Sequence, residues 1–198
     1  MIKFEYQILT MFKKALSLTD TVNRLAIDSS EKSYKQLFNL LFPPLLKFCF
    51  CLLKSHELAE EVASDVMFIL WKRRAELSSV ANVQAYAYII AKNLSLNMLK
   101  RGLKKETISI DEISIEVFLN HETPEQLLIG AELKQALEES INLLPPRAKM
   151  VFKLIKEDGL SYKDVACILD ISVKTVDAHL VTALKKIAVL INKEFHLT

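Results

Sequence analysis

Apolar residues recur along this chain at spacings of three and four, the interval that places side chains on one face of an α-helix. The pattern starts near Thr19 or Asp20, breaks at the polar stretch Asp28 to Lys32, and resumes from Ser33, where Leu37, Leu40 and Leu41 form a stripe for burial. Pro43 and Pro44 interrupt the next apolar run. A helix is expected to restart there and continue to Leu53, because proline is tolerated in a first helical turn. Further helices are predicted over Glu57 to Arg74 and Val83 to Arg101. From Gly102 to about Thr123 the periodicity dissolves into acids and β-branched residues, which reads as a linker. A second helical set is expected from about Glu125 to Ala148, broken at Pro145-Pro146, then over Arg147 to Glu157, Tyr162 to Leu169 and Ser172 to Asn192.

The fold class that follows is all-α: two small helical domains, 1–102 and 125–198, joined by an acidic linker over 103–124. Composition narrows the choice in the same direction. With 3 glycines and 5 prolines in 198 residues, there is little material for the many tight turns of a sandwich or barrel. The formal net charge is only +2, but it is unevenly placed. Residues 1–110 hold 16 Lys and Arg against 10 Asp and Glu, residues 111–132 hold 6 acids and no base, and residues 133–198 hold 10 bases against 8 acids. Two basic units around a polyanionic segment leave basic faces for an anionic polymer.

Cys49, Cys51 and Cys167 make an odd set without matching ligand spacing, and read as buried small hydrophobes in a reducing cytoplasm. No metal and no cofactor is expected. The N-terminal stretch lacks the pattern of a signal peptide. Leu40 to Leu53, the most apolar window, contains Pro43, Pro44 and Lys47 and is shorter than the ~20 residues of a membrane span, so it reads as a core helix without membrane insertion. No nucleophile–His–acid set, metal spacing or phosphate loop occurs, and an enzyme is not expected.

The strongest local signal runs from Ser161 to Leu180. Ser161 with Asp164 has the form of a capping box, and Ser172 offers a second N-cap only eleven residues later. Two helices must therefore meet at a tight turn around Asp170, with Val165, Leu169, Ile171, Val176 and Leu180 inward. That is the plan of a helix-turn-helix, although two ordinary packed helices would share much of it. In a helix-turn-helix the second helix enters the major groove, and its outer face would carry Lys174, Thr175, Asp177, Ala178, His179, Thr182 and Lys185. The lysines suit phosphates. Asp177 can only accept hydrogen bonds, so it either reads a cytosine or adenine amino group or stands solvated.

Two further helices carry patterned polar faces. Between Glu57 and Lys72, the positions Leu58, Val62, Val66, Ile69 and Leu70 point to a core, while Glu57, Glu61, Ser64, Asp65, Phe68 and Lys72 form the opposite stripe. A Phe inside a charged stripe reads as an interface anchor or as a ring turned partly into the core. The helix from Val83 places Ile89, Ile90, Leu94 and Met98 inward and leaves Tyr88, Lys92, Asn93, Ser95, Lys100 and Arg101 for a face that suits single-stranded nucleic acid or plain solvent.

Taken in order, Ala59 to Trp71, Ala85 to Asn93, the acidic linker, Leu144-Pro-Pro-Arg and Ser161 to Leu180 resemble the extracytoplasmic-function (ECF) sigma factors, small specificity subunits of bacterial RNA polymerase. The resemblance spans about Thr21 to Ile191. It implies that the first domain grips the clamp helices of the largest polymerase subunit through Glu61, Ser64, Asp65 and Phe68. It further implies that this domain opens the −10 element, with Leu77, Tyr88, Lys92, Asn93, Lys100 and Arg101 toward DNA and the loop Leu77 to Val83 beside Asn93 receiving a flipped base. The second domain would read the −35 element through Lys174 to Lys185 and dock on the flap of the second-largest subunit. The acidic linker would lie in the RNA exit path. An anti-sigma factor, a cytoplasmic location and a free monomeric state are implied as well. Met67, Leu77, Tyr86 and Asp177 depart from the usual residues of the family and leave the promoter sequence open. The competing reading is an operator-binding helix-turn-helix regulator, which would normally dimerise.

Overall fold

A computed structural model describes residues 17–103, 136–137 and 139–195, and among them regular structure is helical throughout. The chain divides into two compact units, Met1–Thr107 and Ile108–Thr198. Beyond Leu103, the expected acidic linker lies outside the described residues.

In the first unit, helix α1 (17–28) ends in a turn that Asp28 organises. Its carboxylate accepts from the Ser30 amide at 2.9 Å and from the Ser33 hydroxyl at 2.9 Å. Ser29 turns the chain at φ 47°, and Ser30 then caps α2 (Glu31–Leu53) by accepting from the Ser33 amide. Contrary to expectation, α2 does not restart at the prolines. It runs unbroken for 23 residues with Pro43 and Pro44 inside it. Two prolines remove two amide donors, each a loss of about 3 kcal/mol or more in a helix interior. Leu37, Leu41, Leu45 and Phe48 are all essentially buried, and each contributes about 1.5–3 kcal/mol, so packing on both sides of the prolines outweighs the local break.

Lys54, in the left-handed region at φ 55°, closes α2, and Ser55 caps α3 (His56–Lys72). A single 3-10 turn (Leu77–Ser79) leads to α4 (Val83–Leu103). Helix α2 packs on both α3 and α4, and these two on each other. By length and composition α2 could cross a membrane, but half of its apolar stretch is buried inside this unit, which makes it the core helix.

Among the described residues, the second unit opens with helical residues 136–137 and 139–142, here called α5. The expected break at the proline pair holds: Pro146 opens α6 (Pro146–Phe152), which passes into a wider π-type turn (Lys153–Glu157). Then come α7 (Tyr162–Leu169) and α8 (Val173–Phe195). Ile141, Leu144, Ala148, Ala183 and Ile187 form a buried cluster that fixes α6 against α8. Two lysines share this interior. Lys149 donates to the Asn142 carbonyl at 2.8 Å, and Lys153, 2% exposed, pairs with Glu157 at 3.0 Å.

Candidate nucleic-acid interface

The α7–α8 motif is built by its caps. The Ser161 hydroxyl accepts from the Asp164 amide at 3.1 Å while the Asp164 carboxylate accepts from the Ser161 amide at 3.3 Å, completing the capping box read from the sequence. Val165, Ala166, Ile168 and Leu169 are buried, so α7 turns one face fully inward. At its end Asp170 adopts φ 56°, ψ 49°, a left-handed conformation that aspartate tolerates better than most side chains. The Ile171 amide folds back to the Ala166 carbonyl at 3.1 Å, and Ser172 immediately caps α8 by accepting from the Thr175 amide at 3.0 Å. Two helices thus meet through a turn of three residues, with Val176, Leu180 and Ala183 of α8 buried.

Burial fixes which side of α8 is outward. Lys174, Asp177, Ala178, Thr182 and Lys185 are exposed, while Thr175 and His179 are half-buried. Thr175 shares a hydroxyl hydrogen bond with Ser172 at 2.7 Å, so it belongs partly to the cap. The Thr182 hydroxyl donates to the Ala178 carbonyl at 2.8 Å, leaving its oxygen mainly as an acceptor. At 3.6 residues per turn, Lys174, Ala178 and Lys185 stand opposite the buried line, with Asp177 on one flank and His179 on the other. Val181, 41% exposed, stands among them and was not singled out in the sequence.

On α3 the outward stripe is assembled as expected. Glu61, Ser64, Asp65 and Phe68 are all exposed and follow one another at helical spacing along a single face. Phe68 is 52% exposed, so the ring stands out of the core, and the Lys72 ammonium lies 4.3 Å from its centre. At the head of this face, a bond from the Ser55 hydroxyl holds the Glu57 carboxyl below the usual carboxylate range. Leu58, expected inward, is 36% exposed because the stripe of Val62, Val66 and Leu70 already fills the contact with α2.

The expected nucleic-acid side of this unit differs at three positions: Ser95 of α4, expected outward, is buried, and two proposed DNA-facing residues turn inward as well. Tyr88 is fully buried, its ring edge-on to Phe48 at 5.0 Å, and Leu77 is 1% exposed, anchoring the 3-10 turn in the core. Neither presents a side chain to DNA, and both are withdrawn from the candidate set. Tyr88 turns inward because its neighbours on that side, Ala87, Ala91 and Ser95, are small and let α2 approach closely. Asn93 and Arg101 are exposed, and Lys92 and Lys100 half-exposed, so these four remain. Asn82 caps α4 by accepting from the Ala85 amide at 3.0 Å. Arg73 donates to the Tyr86 hydroxyl at 2.6 Å, and the Arg74 guanidinium lies 4.3 Å from the centre of the Trp71 ring. These two arginines, missed in the sequence, lie where α3 hands over to the turn; the run Lys72-Arg73-Arg74 after Trp71 was the available signal. Cys167 is exposed rather than buried, since it falls on the outer side of α7, whereas Cys49 and Cys51 are buried.

The family description Sigma-70 region 2 matches residues 37–104, and Sigma-70, region 4 matches residues 134–187. The ECF RNA polymerase sigma-E factor of Escherichia coli strain K12 is 28% identical over 176 residues, covering 84% of this chain and 91% of that protein. Its counterpart in Haemophilus influenzae is 26% identical over 179 residues, covering 85% and 93%. Among solved structures, the sigma factor RpoE of Bartonella quintana, in complex with the anti-sigma factor NepR, aligns with a TM-score of 0.55 at 24% identity, covering 81% of this chain and 98% of that one. CnrH, in complex with the cytosolic domain of CnrY, aligns at 0.53 and 16% identity, covering 89% and 98%. The fold is shared with both.

Proposed function

The chain belongs to the sigma-70 family, and within it to the ECF sigma factors of RNA polymerase, and from that membership we propose how its two units divide the work of initiation. The first unit binds the clamp helices of the largest subunit through Glu61, Ser64, Asp65 and Phe68. Its α4 side, with Lys92, Asn93, Lys100 and Arg101, faces the −10 element as the strands separate. The second unit presents α8 to the −35 element, with Lys174 and Lys185 on phosphates and the residues between them over bases, while another of its surfaces meets the flap. The acidic stretch 103–124 serves as the linker between the units. Core polymerase, promoter DNA and an anti-sigma factor are the partners, the cytoplasm is the location, and the free chain is a monomer. Sigma factors are generally non-enzymatic initiation factors, and no catalytic residue is assigned.

The observation that carries this reading over an operator-binding regulator is Phe68. A helix-turn-helix serves either function, but a half-exposed ring on an acidic helix face within the region 2 match supports docking on a protein partner. The test is capture of core polymerase by the purified chain, followed by transcription from a promoter library. Promoter-specific initiation that depends on both chain and core is expected. A dimer that binds its DNA tightly without core, and gives no initiation with it, would overturn the proposal.

A further inference from the structure

From Lys174 to Lys185 the outer face of α8 carries no arginine, glutamine or asparagine, and its purine-pairing capacity is confined to those two lysines at its ends. No arginine follows Arg147 in the chain, and α8 has neither glutamine nor, before Asn192, asparagine. Arg or Lys on guanine and Asn or Gln on adenine are the usual bidentate pairs, so between Lys174 and Lys185 no side chain of this kind is available. The face offers an apolar element instead. Val181 is 41% exposed and sits one turn beyond exposed Ala178 on the side opposite the buried Val176, Leu180 and Ala183.

The lysines fix where that element would lie. Lys174 and Lys185 are eleven residues apart, three turns on the same side of the helix, or about 16 Å along its axis. The major groove is ~12 Å wide, so two ammonium groups on that spacing reach phosphates on opposite walls. Ala178 and Val181 fall between them, over the groove floor. The Thr182 hydroxyl proton is held by the Ala178 carbonyl at 2.8 Å and does not compete as a donor there. Asp177, on the flank one turn before Val181, accepts only, and suits the amino group of adenine or cytosine.

We propose that Val181, seconded by Ala178, determines −35 specificity by packing on the C5-methyl group of thymine, so that this sigma factor reads thymine methyls where cationic recognition helices read guanine. The inference rests on the sigma-factor reading above and deepens it. Val181 is a specificity residue and not part of the unit's core, so its replacement leaves the fold in place.

The experiment uses holoenzyme reconstituted from core polymerase and the full chain. A promoter is first selected from a pool randomised in the −35 region, and each −35 thymidine is then replaced singly by deoxyuridine, which removes only the methyl group. One or two adjacent positions should lose about fourfold in binding, the scale of one buried methyl group. Val181→Ala should bind the thymidine promoter correspondingly more weakly and be indifferent to the replacement, and Val181→Thr, which keeps a methyl, should retain the discrimination. Equal deoxyuridine losses in wild type and Val181→Ala would overturn the assignment to Val181. Wild-type initiation unaffected by deoxyuridine everywhere, or selection of a −35 motif without thymine, would overturn methyl readout while leaving the sigma reading intact. A holoenzyme that initiates on no promoter would overturn both.

Discussion

Replacing Phe68 with alanine removes a ring whose free half has no partner surface within its own unit. A phenylalanine buries on the order of 200 Å² when covered, and this one is 52% exposed, so about 100 Å² is available to an interface. At about 25 cal/mol per Å² that area corresponds to about 2.5 kcal/mol, or about seventyfold in Kd. The cost within the chain is far smaller. The contact with the Lys72 ammonium at 4.3 Å is lost, worth about 0.5–1 kcal/mol at an exposed site, and the better helix propensity of alanine returns about 0.5 kcal/mol. Affinity and stability should therefore separate. Labelled chain titrated with core polymerase, followed by fluorescence anisotropy, should show tens-fold weaker binding, while the thermal midpoint by circular dichroism moves by only a few degrees. A Kd within twofold of wild type would refute the assignment of this face. So would an affinity loss that merely tracks unfolding.

Asp65→Lys, at the rim of the same face, should act mainly on the association rate and more at low salt than at high salt, which stopped-flow mixing with core polymerase can read. Asn93→Ala should leave closed-complex formation near wild type and weaken opening of the −10 region, visible as fainter permanganate reactivity of unpaired thymines; wild-type reactivity would remove Asn93 from that site. Lys185→Ala should lower affinity for every −35 sequence alike and reduce the slope of log K against log salt by about 1, whereas Asp177→Ala should change which base is preferred at one position. Burial pushes the Cys49 thiol up to about 12, with the nearby Ser95 hydroxyl pulling weakly the other way. An unfolded thiol titrates near ~8.5, so the stability from keeping Cys49 neutral is fully present below that pH. It is lost as pH rises toward 12, at about 1.4 kcal/mol per pH unit. Urea melts between about pH 9 and pH 11 should show that extra slope in wild type and not in Cys49→Ala.

What the sequence determined by itself was local or strictly periodic. Ser161, Asp164 and Ser172 mark helix starts through bonds spanning three residues, and those bonds form as read. The outward stripe Glu61, Ser64, Asp65 and Phe68 was legible because α3 is cleanly two-sided, with its buried positions at Val62, Val66 and Leu70. Helix α4 is apolar on several sides, from Ala85 through Ile89, Ile90 and Leu94, so periodicity could not choose its inner face. The neighbours chose it: small Ala87, Ala91 and Ser95 admit α2 closely, Phe48 receives Tyr88, and Ile89, Ile90 and Leu94 are left half-buried. The same holds for α2, where a local rule demanded a break at Pro43-Pro44 and the leucines packed on either side overrode it. Caps and stripes are short-range properties of the chain, carried by residues three or four apart. Which side of an evenly apolar helix turns inward, and whether a proline breaks it, depend on burial against helices distant in sequence, and only the tertiary structure decides that.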